Sequence, residues 1–271
     1  MSKLPLSCFI IAKNEADRIG RTIASVVDLA DEVIVIDSGS SDGTQAVAEG
    51  LGAKVVFNAW PGFGQQKRFG EELCRHDWIL NLDADEVLGP GLAVEVRQQF
   101  ARGAPDVAGF WLNDLVVYPG DEKPRPFARD HQFIRLYDRR RIRFKDSTLF
   151  DSVDARGHPT AWLKAPLYHF SVRSFDDLIA KCDERAAYNA ANAKRKSAAV
   201  LAVRLVTELP MQFFKYYFWR THVFGGLKGF QFALITAFYR FIRIVRMHAR
   251  SGSVELNTVD KRPASANPPP S

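Results

Sequence analysis

Apolar positions in the first ninety residues fall into short runs separated by stretches of helical period. Ser7 to Ala12 (SCFIIA) is an apolar run of strand length, and Ile19, Ile23, Val26 and Val27 follow at helical spacing. Glu32 to Asp37 (EVIVID) is β-branched and ends on a carboxylate. The turn cluster Ser38-Gly39-Ser40-Ser41-Asp42-Gly43 comes next, and Thr44 to Leu51 resumes the helical period. Ala53 to Phe57 predicts a third strand, Gln65 to Cys74 a helix, and Trp78 to Leu82 (WILNL) a fourth strand. Such alternation predicts a parallel sheet with right-handed crossovers, whose ligands sit at the carboxyl ends of the strands. Asp37, Asp83 and Asp85 fall at or just beyond such ends.

After a further helical stretch, Gly91 to Arg102, the pattern changes. Gly109 to Tyr118 and Gln132 to Tyr137 predict strands around a Pro-rich loop, Pro119 to Pro126, and strand-like pieces continue to about Phe170. From Asp176 onward the period is helical, and no internal repeat is present. The fold class is therefore α/β, a mixed sheet flanked by helices with a C-terminal helical extension. The expected division is a catalytic domain over 1–175, a basic helical region over 176–250 and a disordered Pro/Ala/Ser-rich tail over 251–271.

The 271 residues suffice for a substantial core. Cys8, Cys74 and Cys182 are far apart and odd in number, which predicts neither a disulfide framework nor a zinc site and fits a reducing compartment. The opening apolar stretch is too short for a secretory signal, so the expected location is the cytoplasm. The net charge of +6 is unevenly placed: Lys194 to Arg250 holds eleven Lys/Arg against one acid, Glu208, leaving the remainder net acidic.

Projected at about 100° per residue, Arg240, Arg243, Arg246 and Arg250 fall within an arc of roughly 120°. Phe230, Leu234, Phe238, Phe241 and Val245 cluster within roughly 80° on the opposite side. Together with Phe213 to Phe218 (FFKYYF), this predicts a helix lying in a membrane interface, at the inner face of the cytoplasmic membrane, with its arginines among anionic headgroups. Charges interrupt the segment too often for a transmembrane span. Nucleic acid is not an expected partner, because the residues between the charges are large apolar ones without a nucleic-acid motif.

Asp83-Ala84-Asp85-Glu86, just past an apolar strand, is the sharpest chemical signal. Two carboxylates at i and i+2 where the chain turns can share a hard divalent cation, Mn²⁺ or Mg²⁺, that bridges to substrate phosphates. Asp37 at the end of its strand suits hydrogen bonding to a base or ribose, and the helix that follows Gly43 offers an N-terminus to anions. Asp42 and Thr44 serve equally well as a capped turn. Trp111 and Trp162 are candidates for an acceptor platform, and burial accounts for them as readily. No Walker motif, H-E-x-x-H, G-x-S-x-G or paired C-x-x-C competes.

Ile10-Ile-Ala-Lys-Asn-Glu15, Val35-Ile-Asp37-Ser-Gly-Ser-Ser-Asp-Gly-Thr44 and Leu80-Asn-Leu-Asp83-Ala-Asp85-Glu86 resemble, in order and spacing, the three opening motifs of family 2 glycosyltransferases of the GT-A fold. Trp60-Pro-Gly-Phe-Gly64 and Phe63-Gly-Gln-Gln-Lys-Arg68 resemble the lipopolysaccharide-core heptose β-1,4-glucosyltransferase branch, although Arg68 stands where that branch implies asparagine. The resemblance implies that Ala12 and Glu15 lie along the nucleotide with Asn14 shaping the first loop, and that Asp37 contacts uracil or ribose. It further implies that Lys67 reaches the nucleotide, Asp83 contacts ribose and metal, Asp85 binds the metal, and His169 faces the metal or diphosphate. An inverting enzyme of this fold needs a general base, for which a carboxylate is the usual choice. The segment nearest the family's His-(Asp/Glu)-Ser-Val is Phe150-Asp151-Ser152-Val153, which makes Asp151 the candidate and Asp146 and Asp154 its rivals. The implied reaction moves a hexose from a nucleotide-sugar donor, UDP-glucose, to a sugar of a lipid-linked acceptor such as the lipopolysaccharide core. A polyprenyl-phosphate acceptor and an inactive nucleotide-sugar binder are the alternatives.

Overall fold

A computed structural model describes residues 2–148, 151–194 and 196–252. The tail expected over 251–271 lies outside the described residues from 253 onward. The chain forms two compact units: the first takes the chain to Val116 and then Asp130–Ser171, the second Val117–Arg129 and the chain from Val172.

The first unit opens with β1 (Leu4–Ala12), α1 (Ile19–Val26), β2 (Ala30–Asp37), α2 (Thr44–Gly50), β3 (Lys54–Phe57), α3 (Phe63–Leu73) and β4 (Trp78–Asp83). It continues with β5 (Glu86–Leu88), α4 (Leu92–Gln99), β6 (Gly109–Val116), β7 (His131–Asp138), β8 (Thr160–Trp162) and β9 (Leu167–His169). The sheet runs β3-β2-β1-β4-β7-β6-β9-β5, with β8 also on β6. The first four strands are parallel, as the alternation predicts, whereas β7 runs antiparallel to both β4 and β6 and β5 antiparallel to β9. Strand β5 is the element that the hydrophobic pattern misses, since three residues are too few to show a period.

Central β1 is covered on both faces, which is why it reads as an unbroken apolar run. One face packs Leu6, Cys8 and Ile10 against Ile19, Ile23, Leu92 and Val96. The other packs Phe9 and Ile11 with Ile34, Ile36, Ile79, Tyr137 and Phe144, beneath Phe63 and Phe69 of α3. Register then fixes the chemistry: Ala12 pairs with Asp37 on one side of β1, and Ile11 with Asp83 on the other. The two strand-end acids thus flank a single β1 terminus. Buried Glu71 of α3 accepts hydrogen bonds from the Tyr137 hydroxyl at 2.8 Å, the Phe144 amide at 2.9 Å and Arg143 Nε at 2.7 Å, tying α3 to β7 and to the segment after it.

In the second unit, Ser174 and Ser197 cap α5 (Phe175–Ala191) and α6 (Ala198–Phe214). A π-helical turn, Lys215–Trp219, and a 3₁₀ turn, His222–Gly225, lead into α7 (Gly226–Gly252). The Pro-rich segment belongs to this unit: Arg125 donates to the Arg220 carbonyl at 2.7 Å, Lys228 to the Pro119 carbonyl at 2.9 Å, and the Tyr118 hydroxyl lies 2.6 Å from His222 Nδ1.

Helix α7 buries Ala233, Ala237, Ile244 and Met247, while Phe230, Leu234, Phe238 and Val245 are exposed. The side that the periodicity assigns to the apolar face is thus largely open, and two of the arginines opposite it have partners within the unit. Arg246 pairs with Asp183 at 2.7 Å and Arg240 reaches the Tyr216 hydroxyl at 3.5 Å. No helix among the described residues is long and apolar enough to cross a membrane.

Gly62 allows the segment before Asp151 to lie against the start of α3. Its φ of 138° is open to glycine alone, and a Cβ there would stand 2.5 Å from Thr148 Cα. The Phe63 and Gly64 amides donate to the Thr148 and Ser147 carbonyls. Gly62→Ala is expected to cost about 1–3 kcal/mol from backbone strain alone. It should also release the first turn of α3, read as faster hydrogen exchange at the Phe63 and Gly64 amides.

Candidate functional site

The loop after β1 and the loop after β2 interlock at the carboxyl end of the parallel strands. Asn14 adopts φ 57°, its amide donates to Ser40 Oγ at 2.8 Å, and its side-chain oxygen accepts the Ser41 amide at 2.9 Å. Buried Asp37 accepts the Gly39 and Ser40 amides, the Ser40 hydroxyl and Gln45 Nε2. Burial works to raise its pKa, but these donors outweigh it and hold the carboxyl below its ordinary value. Asp42 accepts the Thr44 amide and hydroxyl and the Ala16 amide, so Asp42 and Thr44 act as a turn that clasps the first loop. Ala12 is buried beneath this loop, its carbonyl accepting the Ser38 amide.

Lys67, on α3, has no exposed surface. Its Nζ lies 2.8 Å from Asp83 Oδ1 and 2.8 Å from Asp151 Oδ2, joining acids 68 positions apart in the chain. Among the described residues Asp151 Oδ1 has no hydrogen-bond partner. The rivals differ: Asp146 is exposed, and Asp154 is bound by Arg156, whose hydrogen bonds hold its carboxyl far below the usual range.

Arg135 of β7 is a residue that no local pattern marks. Buried, it donates to Asn81 Oδ1 at 3.0 Å and Asp83 Oδ2 at 2.8 Å, and it pairs with Glu86. Burial would raise the Asp83 carboxyl, but Arg135 and Lys67 overcome that and hold it well below the usual range. Glu86 has the same neighbour yet is pushed up to about 7, because burial dominates and Asp83 and Asp114 repel its charge.

Asp85 faces a second set of partners. Its Oδ1 lies 3.4 Å from His169 Nε2 and its Oδ2 3.4 Å from Arg18, which also pairs with Glu15 and donates to the Phe170 carbonyl at 2.8 Å. The Glu15 carboxylate is thus turned to Arg18, while its amide donates to Thr44 Oγ1. Behind His169, fully buried Asp114 accepts Nδ1–H at 2.9 Å, which leaves Nε2 facing Asp85. Burial disfavours a charged ring, but Asp85 and Asp114 hold the His169 pKa well above its ordinary value.

Ligand atoms of Glu86, Asp114 and His169 lie within 4.8 Å of one another. Glu86 is engaged by Arg135 and by the Asp83 amide, and neither Glu86 nor Asp114 has exposed surface. The partly open donors are Asp85, 15% exposed, and His169, 20% exposed. Carboxylate oxygen with one imidazole, backed by a buried carboxylate, is a donor set that suits a hard or borderline divalent cation. The residues fit such an ion on the Asp85–His169 side.

Comparison with known proteins places the chain in a wider set. Residues 7–158 match the model of the family described as Glycosyl transferase family 2. An uncharacterized glycosyltransferase of Rickettsia felis is 39% identical over 252 residues, 89% of each chain. The lipopolysaccharide core biosynthesis glycosyltransferase LpsC of Rhizobium meliloti is 28% identical over 258 residues, 92% of this chain and 93% of its own. Among solved structures, glucosyl-3-phosphoglycerate synthase from Mycobacterium tuberculosis is 25% identical with a TM-score of 0.35, over 41% of this chain and 44% of that one.

Removing the cation shared by Asp83 and Glu86 leaves buried acids uncompensated. Arg135→Met is expected to lower unfolding free energy by about 3–5 kcal/mol, measured by urea denaturation.

Proposed function

Since the chain belongs to glycosyltransferase family 2, we propose that it moves a hexose, with inversion, from a UDP-sugar to a sugar hydroxyl of a lipid-held acceptor of lipopolysaccharide-core type. It is a glycosyltransferase of GT-A fold. The observation that carries the finer reading is Lys67, whose ammonium bridges Asp83 of the metal motif and Asp151 at 2.8 Å each. The carboxylates to which this reading gives the two roles of an inverting transfer are held by one ammonium.

In this reading Asp151 is the general base. Lys67 holds one of its oxygens, the other is buried without a hydrogen-bond partner among the described residues, and the carboxylate, 31% exposed as a whole, takes the acceptor hydroxyl's proton as the sugar is displaced. Asn14, Ala12 and Asp37 line the nucleoside side, and the interlocked loops hold them in place. Asp83, Asp85 and His169 hold a divalent cation, Mn²⁺ or Mg²⁺, which when bound supplies positive charge to the departing diphosphate. Arg135 keeps Asp83 ionised and oriented, Asp114 fixes the orientation of the His169 ring, and buried Lys67 adds a fixed positive charge without reorganisation. UDP-glucose is the donor implied by the motifs. The acceptor class is supported by overall likeness to a relative whose name gives lipopolysaccharide core biosynthesis.

The second unit supports a location at a membrane surface, and the reading places it on the cytoplasmic side. Trp219 is 83% exposed, Val206 79% and Leu227 74%, and Phe214, Phe218, Phe230 and Phe238 are also open. That much apolar surface set among lysines and arginines suits the interface of an anionic bilayer.

Asp85→Ala is expected to abolish transfer from UDP-glucose and cation-dependent UDP binding measured by calorimetry. Asp151→Asn should leave UDP binding unchanged and lower kcat by about 10²–10⁴-fold. Full turnover in excess chelator contradicts the mechanism. Replacing Phe218 and Trp219 together by Ser should lower co-sedimentation with phosphatidylglycerol vesicles several-fold and leave kcat on a lipid-free acceptor unchanged.

A further inference from the structure

One edge of the first unit carries chemistry that the reaction centre does not use. Strand β8 joins β6 in parallel with Trp162 in register with Trp111. The two indoles stack with centroids 5.7 Å apart at 23°. Trp111 is only partly buried, and its Nε1 donates to Thr160 Oγ1 at 3.2 Å, which sets its orientation. Trp162 lies over it and remains 52% exposed. The Trp162 indole is thus braced on one side and wet on the other, with a flat apolar face open to a ligand.

Two residues further along β6, on the same face, Asn113 accepts a hydrogen bond from Gln132 Nε2 of β7 at 3.2 Å. That pairing uses one oxygen of Asn113 and one N–H of Gln132. It leaves the Asn113 amino group and the Gln132 carbonyl for other partners. A flat indole beside amide donors and acceptors matches a pyranose, which presents an apolar C–H face and a rim of hydroxyls.

We propose that Trp162, braced by Trp111 and flanked by Asn113 and Gln132, is a binding platform for a sugar ring of the acceptor away from the reacting hydroxyl. The proposal rests on the transferase reading for its ligand and deepens it. The platform shares its face of the sheet with the reacting groups. Trp111, Val153 and Ala155 pack on the apolar cluster that contains Phe144, Phe144 forms a β-bridge with Val153, and Lys67 Nζ lies 5.2 Å from the Phe144 ring. In strand order β8 stands three positions from β4, which carries Asp83. At about 4.8 Å per strand that is roughly 14 Å across the sheet, too far for the sugar being glycosylated. The opposite direction, toward β2 and β3, holds the nucleoside loops. The platform therefore selects for an oligosaccharide already extended beyond its reacting unit.

The test uses the full chain with two lipid-free acceptors, core oligosaccharide released from lipopolysaccharide by mild acid and a single-sugar methyl glycoside. Trp162→Ala should raise KM for the oligosaccharide at least tenfold with kcat unchanged, leave the glycoside's kinetics unchanged, and be largely rescued in Trp162→Phe. Gln132→Ala should raise the same KM by a smaller factor. Independently of turnover, the oligosaccharide without donor should shift the Trp162 indole N–H resonance. Equal KM for wild type and Trp162→Ala, or an unmoved indole signal at saturating oligosaccharide, overturns the platform. Should the indole shift while no transfer to any acceptor occurs, the sugar site stands and the transferase assignment of acceptor falls.

Discussion

A lysine ammonium with no access to water is stable only where its counter-charges are close, and Lys67 has Asp83 and Asp151 at 2.8 Å each. Much of the first unit serves this placement. Helix α3 must sit hard on β1, which Gly70 permits, since a Cβ there would stand 2.6 Å from the Phe9 ring. The segment before Asp151 must approach the start of α3, which Gly62 permits. Buried Glu71, one turn beyond Lys67 on the same helix, anchors Tyr137, Arg143 and the Phe144 amide, so the wall beneath the ammonium is itself hydrogen-bonded in place.

The same accounting of charge explains why the acids on either side of the turn behave differently. Asp83 faces two cations and stays ionised despite burial, whereas Glu86, deeper and crowded by Asp83 and Asp114, is pushed up to about 7. Asp85 meets Arg18 and His169 and keeps some exposure. Cations on one flank and open carboxylate and imidazole donors on the other give the site two sides. One side is rigid and already neutralised, and the other is able to take a ligand's charge. In the proposed transfer, a leaving diphosphate would be stabilised without the site first reorganising its own dipoles, which that rigidity favours.

The second unit follows another rule. Its helices pack through small residues, Ala233 and Ala237 on α7, and through Ile244 and Met247, so large aromatic side chains are left outside. In water alone that distribution is costly, because so much of the exposed area is apolar. It becomes favourable against a surface that is apolar inside and anionic at its rim, which is the physical ground for the proposed membrane contact.

Local order was legible in the chain itself. Apolar runs and helical spacing marked nearly every strand and helix of the first unit, and Asp37, Asp83 and Asp85 announced themselves by following apolar strands into polar turns. The motif resemblance extended this to Asn14, Lys67 and His169. Arg135, Asp114 and Arg18 carried no such mark, because each is a single polar residue whose partners come from distant strands or loops, and neither period nor spacing encodes which strands become neighbours. The C-terminal helix shows the same limit. Its apolar face could be read from 100° periodicity, but period says only that a face exists. Whether that face turns inward or outward depends on which residues let two backbones approach closely, and only the packed helices decide that, in favour of the alanines.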